Sequence, residues 1–288
     1  MSRVRMSAIG VLVVVLSGCA SAGDLIDSAP TQRQAEELGP GPGPGPTPDP
    51  DESSAPEVDA CRSLALDDIA PASNDDPVVA CSKRHTAVTY YVGEWPAKLV
   101  SSARGVGDKR LTTHALDACE RTWRRTVGGS DEAWTTSIVS WAWYKPTPDQ
   151  FVDGAHWFRC DLVAGQNTAH LEVLPARVDG LLDGDFDDRY RACWTKPFSN
   201  KPNVDEGQLT SCDRRHQQRA LGTVRLGRAK ADYPGARATF DKANRLCGDL
   251  VAKWRGDPKP GQFGLQWPRR ADWNDGERDA TCWAVTRK

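Results

Sequence analysis

The sequence predicts an α+β protein: two tandem, small, disulfide-stapled repeats, each a helix packed on a short antiparallel sheet, carried behind a disordered tether. Three observations predict it. Eight cysteines fall into two sets of four at closely similar intervals, Cys61, Cys81, Cys119 and Cys160, then Cys193, Cys212, Cys247 and Cys282. Each set encloses one stretch with apolar residues at helical spacing and shorter stretches with strand alternation. Ahead of both lies a segment rich in Pro, Gly, Ser and acidic residues, with Gly and Pro alternating over residues 39–46.

The N-terminus carries Arg3 and Arg5, then an apolar run over residues 8–16, then Leu16-Ser17-Gly18-Cys19. That run is too short for a permanent membrane helix and has the layout of an export signal over residues 1–18. The tetrapeptide resembles the bacterial lipobox. The resemblance implies cleavage before Cys19 and transfer of a diacylglycerol to its thiol. The expected location is therefore the extracytoplasmic face of a cell membrane, with membrane lipid as the first partner. If Cys19 is incidental, the segment still exports the chain. Residues 19–59 hold too few apolar side chains to offset the entropy of ordering and read as a linker. As a flexible coil it spans on the order of 35 Å.

The first repeat is read over residues 60–165, a connection over 166–188 and the second repeat over 189–288. Residues 78–92 read as extended, with Val88, Tyr90 and Val92 alternating against Thr89 and Tyr91. Leu111, Ala115, Cys119, Trp123 and Val127 recur at helical spacing, as do Phe240, Ala243, Cys247, Val251 and Trp254. Both series, with Trp123 and Trp254 among them, are expected to face the core. Residues 138–144 and 157–163 read as strands, with 263–267 and 279–286 as their counterparts. Trp141 and Trp143 lie on the first of these, and one of the two is expected to face inward. Phe151-Val152-Asp153-Gly154 stands nine residues before Cys160, and Trp273-Asn274-Asp275-Gly276 nine before Cys282. Cys-x-x-x-His occurs at Cys81 to His85 and again at Cys212 to His216.

Composition narrows the function. There are 37 basic and 39 acidic residues, net charge −2, and no basic block to neutralise a row of phosphates, so nucleic acid is not an expected partner. Nine cysteines against two methionines suit an oxidising compartment. With Cys19 assigned to the lipid, closure within each repeat leaves three pairings per copy. The favoured one joins Cys61 to Cys81 and Cys119 to Cys160, then Cys193 to Cys212 and Cys247 to Cys282, because the helix cysteine then pins to the final strand beneath it.

Cys-x-x-x-His also has the ligand types of a zinc site, but export and even cysteine sets favour disulfides, which leave no thiolate for metal or nucleophilic catalysis. His85 and His216 are then the best pointers to a shared functional surface. Asp183-Gly184-Asp185-Phe186-Asp187-Asp188 clusters oxygen ligands without the spacing of an EF-hand, since its twelfth position is Trp194; a polar connecting loop is the expectation. No Gly-x-Ser-x-Gly, His-Glu-x-x-His or phosphate-cradling glycine loop occurs, and nothing calls for a cofactor. Eleven tryptophans allow for an exposed row that stacks on cell-wall glycan.

The order of a cysteine, Cys-x-x-x-His, a helical cysteine and an Asp-Gly turn before a final cysteine resembles the septum-formation family of actinobacterial envelope proteins, over residues 61–285. The chain departs from that pattern before the histidine, where Arg84 and Arg215 stand in place of the family's proline. The resemblance implies a role near cell division or envelope maintenance, without catalytic residues to carry over. The expected function is a non-enzymatic binding or scaffolding lipoprotein with an envelope or division protein as partner. The rival readings are a cell-wall glycan binder or envelope hydrolase, and a ligand-sensing ectodomain with pockets at His85 and His216.

Overall fold

The computed structural model of the protein describes residues 54–196 and 207–286. The expected export signal, Cys19 and the tether up to residue 53 lie outside the described residues. The first half contains β1 (Cys61–Arg62), β2 (Val78–Val79), β3 (Ala87–Glu94), α1 (Ala97–Ser101), α2 (Lys109–Val127), α3 (Asp131–Thr135), β4 (Val139–Tyr144), α4 (Pro148–Val152) and β5 (Trp157–Ala164). The second contains β6 (Ala192–Trp194), β7 (Leu209–Ser211), β8 (Gln218–Arg225), α5 (Ala236–Arg255), β9 (Phe263–Gln266), α6 (Arg270–Asn274) and β10 (Asp279–Val285). The result is two antiparallel five-stranded sheets of one topology, β2-β1-β3-β5-β4 and β7-β6-β8-β10-β9, each under one long helix.

Local chemistry explains the elements. Helix α2 starts where the Asp108 carboxylate accepts the Arg110 N–H at 3.0 Å, and it buries Leu111, Ala115, Ala118, Cys119, Trp123 and Val127 along one stripe. Helix α5 buries Thr239, Ala243, Cys247, Gly248 and Val251 in the same way and ends at Gly256 in the left-handed region. The extended stretch expected over residues 78–92 is two strands, because Lys83 N–H closes a turn on the Ala80 carbonyl at 2.8 Å and reverses the chain into β3. The two Asp-Gly turns are built alike. Each follows a one-turn helix, and Gly154 (φ 102°) and Gly276 (φ 106°) take the positive φ that lets the chain enter β5 and β10.

The correspondence reaches the level of register. On β3 one extra residue, Tyr90, interrupts pairing with β5 between Thr89–Asp161 and Tyr91–Cys160. On β8 one extra residue, Leu221, interrupts pairing with β10 between Ala220–Trp283 and Gly222–Cys282. Both sheets thus carry a bulge beside the cysteine of β5 or β10. At that place Tyr90 turns toward the helix and its hydroxyl donates to the Cys119 carbonyl at 2.9 Å.

All eight body cysteines form disulfides, Cys61 to Cys81, Cys119 to Cys160, Cys193 to Cys212 and Cys247 to Cys282, the pairing favoured from helix and strand positions. The first of each pair joins β1 or β6, the strand next to the edge, to the histidine turn; the second joins the long helix to the interior strand β5 or β10.

Two tryptophan expectations are corrected. Trp254 is 51 % exposed, since α5 presents it at its last turn, beyond the part of the helix that lies on the sheet. Trp141 and Trp143 are both half-buried against the same core, because residues two apart on a strand share a face.

The two sheets belong to one compact unit, Asp51–Lys288. Ser137 and Arg191 form an isolated antiparallel bridge, with Ile138 N–H on the Tyr190 carbonyl and Ala192 N–H on the Thr136 carbonyl, both at 2.8 Å. The main core of the first half includes Ala192, Ala220 and Trp283 of the second. The intervening segment supplies Leu174, Val178, Leu182 and Phe186 to that core, so residues 166–188 are structural filling as well as a connection. Glu172, 5 % exposed, receives both arms of Arg214 at 2.7 and 3.1 Å across the junction. A shared core of this kind predicts one cooperative unfolding transition for both halves. Urea denaturation followed by tryptophan emission and by far-UV circular dichroism is expected to give coincident curves; two resolved transitions would show independent domains. Replacing Cys119 and Cys160 together by Ser is expected to lower the unfolding free energy by about 4 kcal/mol, from the entropy of the loop they close.

Candidate functional site

The repeated Cys-x-x-x-His turns are interior structure, which corrects the reading of His85 and His216 as a shared surface. The two residues are 2 % and 3 % exposed. In each turn the ring reaches back to the carbonyl two residues earlier: His85 Nδ1 lies 2.8 Å from Lys83 O, and His216 Nδ1 lies 2.7 Å from Arg214 O. His85 also has Nε2 at 3.2 Å from the Pro175 carbonyl, while its own carbonyl accepts the Leu174 N–H at 3.1 Å. The histidine therefore braces the loop behind the short disulfide and, in the first half, holds the segment that fills the core. Burial of a short polar motif between two chain segments leaves no trace in hydrophobic periodicity.

The acidic loop over residues 183–188 has its oxygens occupied. Asp183 accepts the Gly129 N–H at 2.8 Å, and Asp187 accepts the Arg189 N–H at 2.8 Å. Asp185 pairs with Arg191 at 2.6 Å, and Asp188 lies 2.5 Å from Arg219 and 3.6 Å from Arg191. The Arg191 guanidinium stacks over Phe186 at 4.1 Å. This loop fastens the junction through arginine; among the described residues no group of three or more His, Cys, Asp or Glu is placed to hold a metal ion.

The densest buried polar cluster was not legible as a site. On the first sheet, Arg62 donates from Nη1 to the Thr89 hydroxyl at 2.8 Å, and that hydroxyl donates to Asp161 Oδ1 at 2.7 Å. Arg159 Nε lies 3.0 Å from Asp161 Oδ2, its Nη2 donates to Asn74 at 2.8 Å, and its guanidinium covers the Tyr144 ring at 4.5 Å. Thr89 and Asp161 are wholly buried, Arg62 and Arg159 nearly so. Burial pushes the Asp161 carboxyl above its ordinary range, against the pull of Arg159, Thr89 and Arg62. Burial likewise pushes the Tyr144 phenol up. The signal was present in sequence: Arg159 and Asp161 are two apart on a strand and flank a core cysteine, so they must share the face opposite it. With no opening to solvent at Asp161, the cluster works as a lock under the 66–76 segment, to which Arg62 Nε also donates at the Asp76 carbonyl, 3.2 Å.

The surface offers little concavity. Among the described residues, one open depression of about 370 Å³ is lined by Asn167, Thr168, Ala169, Trp194, Gly207, Gln208 and Leu209, and another of about 420 Å³, beside α1 and α2, by Leu99, Lys109, Arg110, Thr113, His114 and Asp117. Arg110 is tied there to Asp108, whose carboxyl it and the backbone N–H groups hold well below the usual range. Of the eleven tryptophans, five are buried, five half-buried and Trp254 alone exposed, so no exposed aromatic row is formed.

Removing the carboxylate at Asp161 would leave two guanidinium groups buried without their counter-ion. Asp161→Ala is expected to lower the unfolding free energy by about 3–5 kcal/mol in urea titrations, whereas Asp149→Ala on exposed α4 is expected to stay within about 0.5 kcal/mol. Equal effects would mean that the cluster is not a lock.

The family model for septum formation matches residues 60–282, which contain all four disulfides and both sheets except the last three residues of β10. No curated protein and no solved structure matches the chain. On that match, which covers most of its length, and on the repeated cysteine framework it encloses, the chain belongs to the septum-formation family.

Proposed function

We propose that this protein is a lipid-anchored, extracytoplasmic binding module of the cell envelope, serving septum formation by presenting a rigid body to an envelope or division protein rather than by catalysis. The observation that carries this reading is how the reactive side chains are used. The cysteines are in disulfides, the motif histidines brace turns, the loop carboxylates hold arginines, and the most perturbed carboxylate is sealed beneath the 66–76 segment. Such a body keeps its surface in a fixed shape, which lowers the entropic cost of recognition. Disulfides favour an oxidising compartment, and the lipobox-like Leu16-Ser17-Gly18-Cys19 favours attachment by lipid. Among the described residues no helix is long and apolar enough to cross a membrane. A glycan-binding or hydrolytic role has less support, because its aromatic platform is reduced to Trp254.

The anchor is tested in the native host. Cys19→Ser is expected to abolish incorporation of labelled palmitate and to shift the protein from the membrane fraction to the soluble extracytoplasmic fraction. Continued labelling of the Cys19→Ser protein would refute lipidation at this residue. The partner class is tested by crosslinking at the native membrane: recovery of division or envelope proteins supports the module, and recovery of wall glycan alone refutes it.

A further inference from the structure

The end of α5 is built differently from the end of α2. The two helices align through Cys119 and Cys247, which places Thr126 opposite Trp254. At Thr126 the chain is strapped: Gly180 N–H donates to its carbonyl and Leu182 N–H to the Val127 carbonyl, both at 2.8 Å. At the matching place Trp254 stands 51 % exposed within a run, residues 253–259, that is exposed throughout. That run is Lys253, Trp254, Arg255, Gly256, Asp257, Pro258 and Lys259. Among the described residues none of its three cations is in an ion pair, and Asp257, itself exposed, accepts the Lys259 N–H at 2.9 Å, so the run sets three cations against one carboxylate. One helical turn earlier, Asp249 faces Arg245 at 3.9 Å, so that pair adds no net charge.

We propose that the Lys253 to Lys259 edge is a docking surface for the anionic phospholipid headgroups of the membrane in which Cys19 is anchored. An indole half out of water, ringed by free cations, matches the chemistry of a bilayer interface: the ring seats at headgroup level while ammonium and guanidinium groups meet phosphate. The inference rests on the anchor proposed above, through the tether. Attachment at Cys19, ahead of the first described residue Ser54, would confine the body near the bilayer at an effective concentration on the order of millimolar. One tryptophan and three cations give a contact that the free protein makes only with millimolar accessible lipid, and at the anchored protein's effective concentration that contact lays the body on the membrane and fixes which face points outward.

The test uses residues 19–288 carrying Cys19→Ser, with disulfides intact, so that no acyl chain contributes. Vesicles of phosphatidylglycerol and phosphatidylcholine in equal parts are compared with pure phosphatidylcholine in sedimentation, and tryptophan emission is read with brominated acyl chains in the same vesicles. The expected result is binding to the anionic vesicles alone, weakening as salt rises. Trp254→Ala should lose the bromine-quenched emission and weaken partitioning about tenfold. Each of Lys253→Gln, Arg255→Gln and Lys259→Gln should weaken it about fivefold. All four positions are exposed, and unchanged circular dichroism will separate loss of docking from loss of fold. Failure of the unsubstituted chain to bind anionic vesicles would overturn the proposal, as would binding indifferent to Trp254→Ala, or Trp254-dependent retention on isolated peptidoglycan without vesicle binding. The anchor fails separately: palmitate labelling that survives Cys19→Ser refutes the anchor and leaves the vesicle result standing.

Discussion

The bond from helix to interior strand, Cys119 to Cys160 on β5 and Cys247 to Cys282 on β10, is the constraint around which each half is arranged. It closes the longer loop in each repeat and holds the helix over the one position where the sheet pairing slips by a residue. The bulge increases local twist and bends the strand. Without a covalent tie, that bend would trade helix contact for strand contact. With it, Tyr90 reaches the helix backbone at Cys119, and the apolar stripe of α2 meets Phe158 and Leu162 on the strand below. The short disulfides, Cys61 to Cys81 and Cys193 to Cys212, do lesser work: they close the edge of each sheet onto the turn that the histidine braces.

A duplicated fold has to treat its two copies differently once they share a core. Register makes the divergence visible. Arg62, Thr89 and Asp161 of the first sheet occupy the places of Trp194, Ala220 and Trp283 in the second. The first set forms a buried ion-pair network under the 66–76 segment. In the second set, Ala220 and Trp283 join the core common to both halves, and Trp194 packs against it with its ring 6.4 Å from Trp283. Burying an ion pair is rarely better for stability than burying an apolar pair of similar size. What the charged version adds is specificity: the set Arg62, Thr89, Asp161 accepts only partners that satisfy it, such as the Asp76 carbonyl, and rejects another apolar face. The second set has the opposite property. One face of one repeat is thus covered by the 66–76 segment and the matching face of the other packs into the common core.

The parts legible in sequence were those that repeat or alternate. The cysteine sets gave both the duplication and the pairing, and Asp153-Gly154 with Asp275-Gly276 marked the turns into β5 and β10. Period and spacing located both long helices to within a turn. What stayed hidden has a common cause: binary patterning treats charged and imidazole side chains as surface. Arg62, Arg159, Asp161, Glu172 and His85 are all buried, each with a specific partner from a distant part of the chain, and His216 is buried on the Arg214 carbonyl of its own turn. The opposite error fell on Trp254. Helical spacing assigns a residue to a face, but only the covering segment decides whether that face is interior, and the strap over Thr126 has no counterpart over Trp254 among the described residues.

Stiffness of the body bears on the anchoring proposed at Cys19. Attachment through a long polar linker would leave the position of a cargo diffuse, and so would not by itself present one face of it to a partner. A stapled, single-core body resolves half of that problem, because every surface feature then keeps a fixed relation to every other. The remaining half is orientation, which requires a second, weak contact with the surface to which the linker is attached. Where the first repeat ends its long helix, the chain covers it; where the second does, a tryptophan and three unpaired cations are left on view. Coverage at one end and exposure at the other make the two ends of a pseudo-symmetric pair different, which is what the envelope module proposed above would need in order to take one orientation.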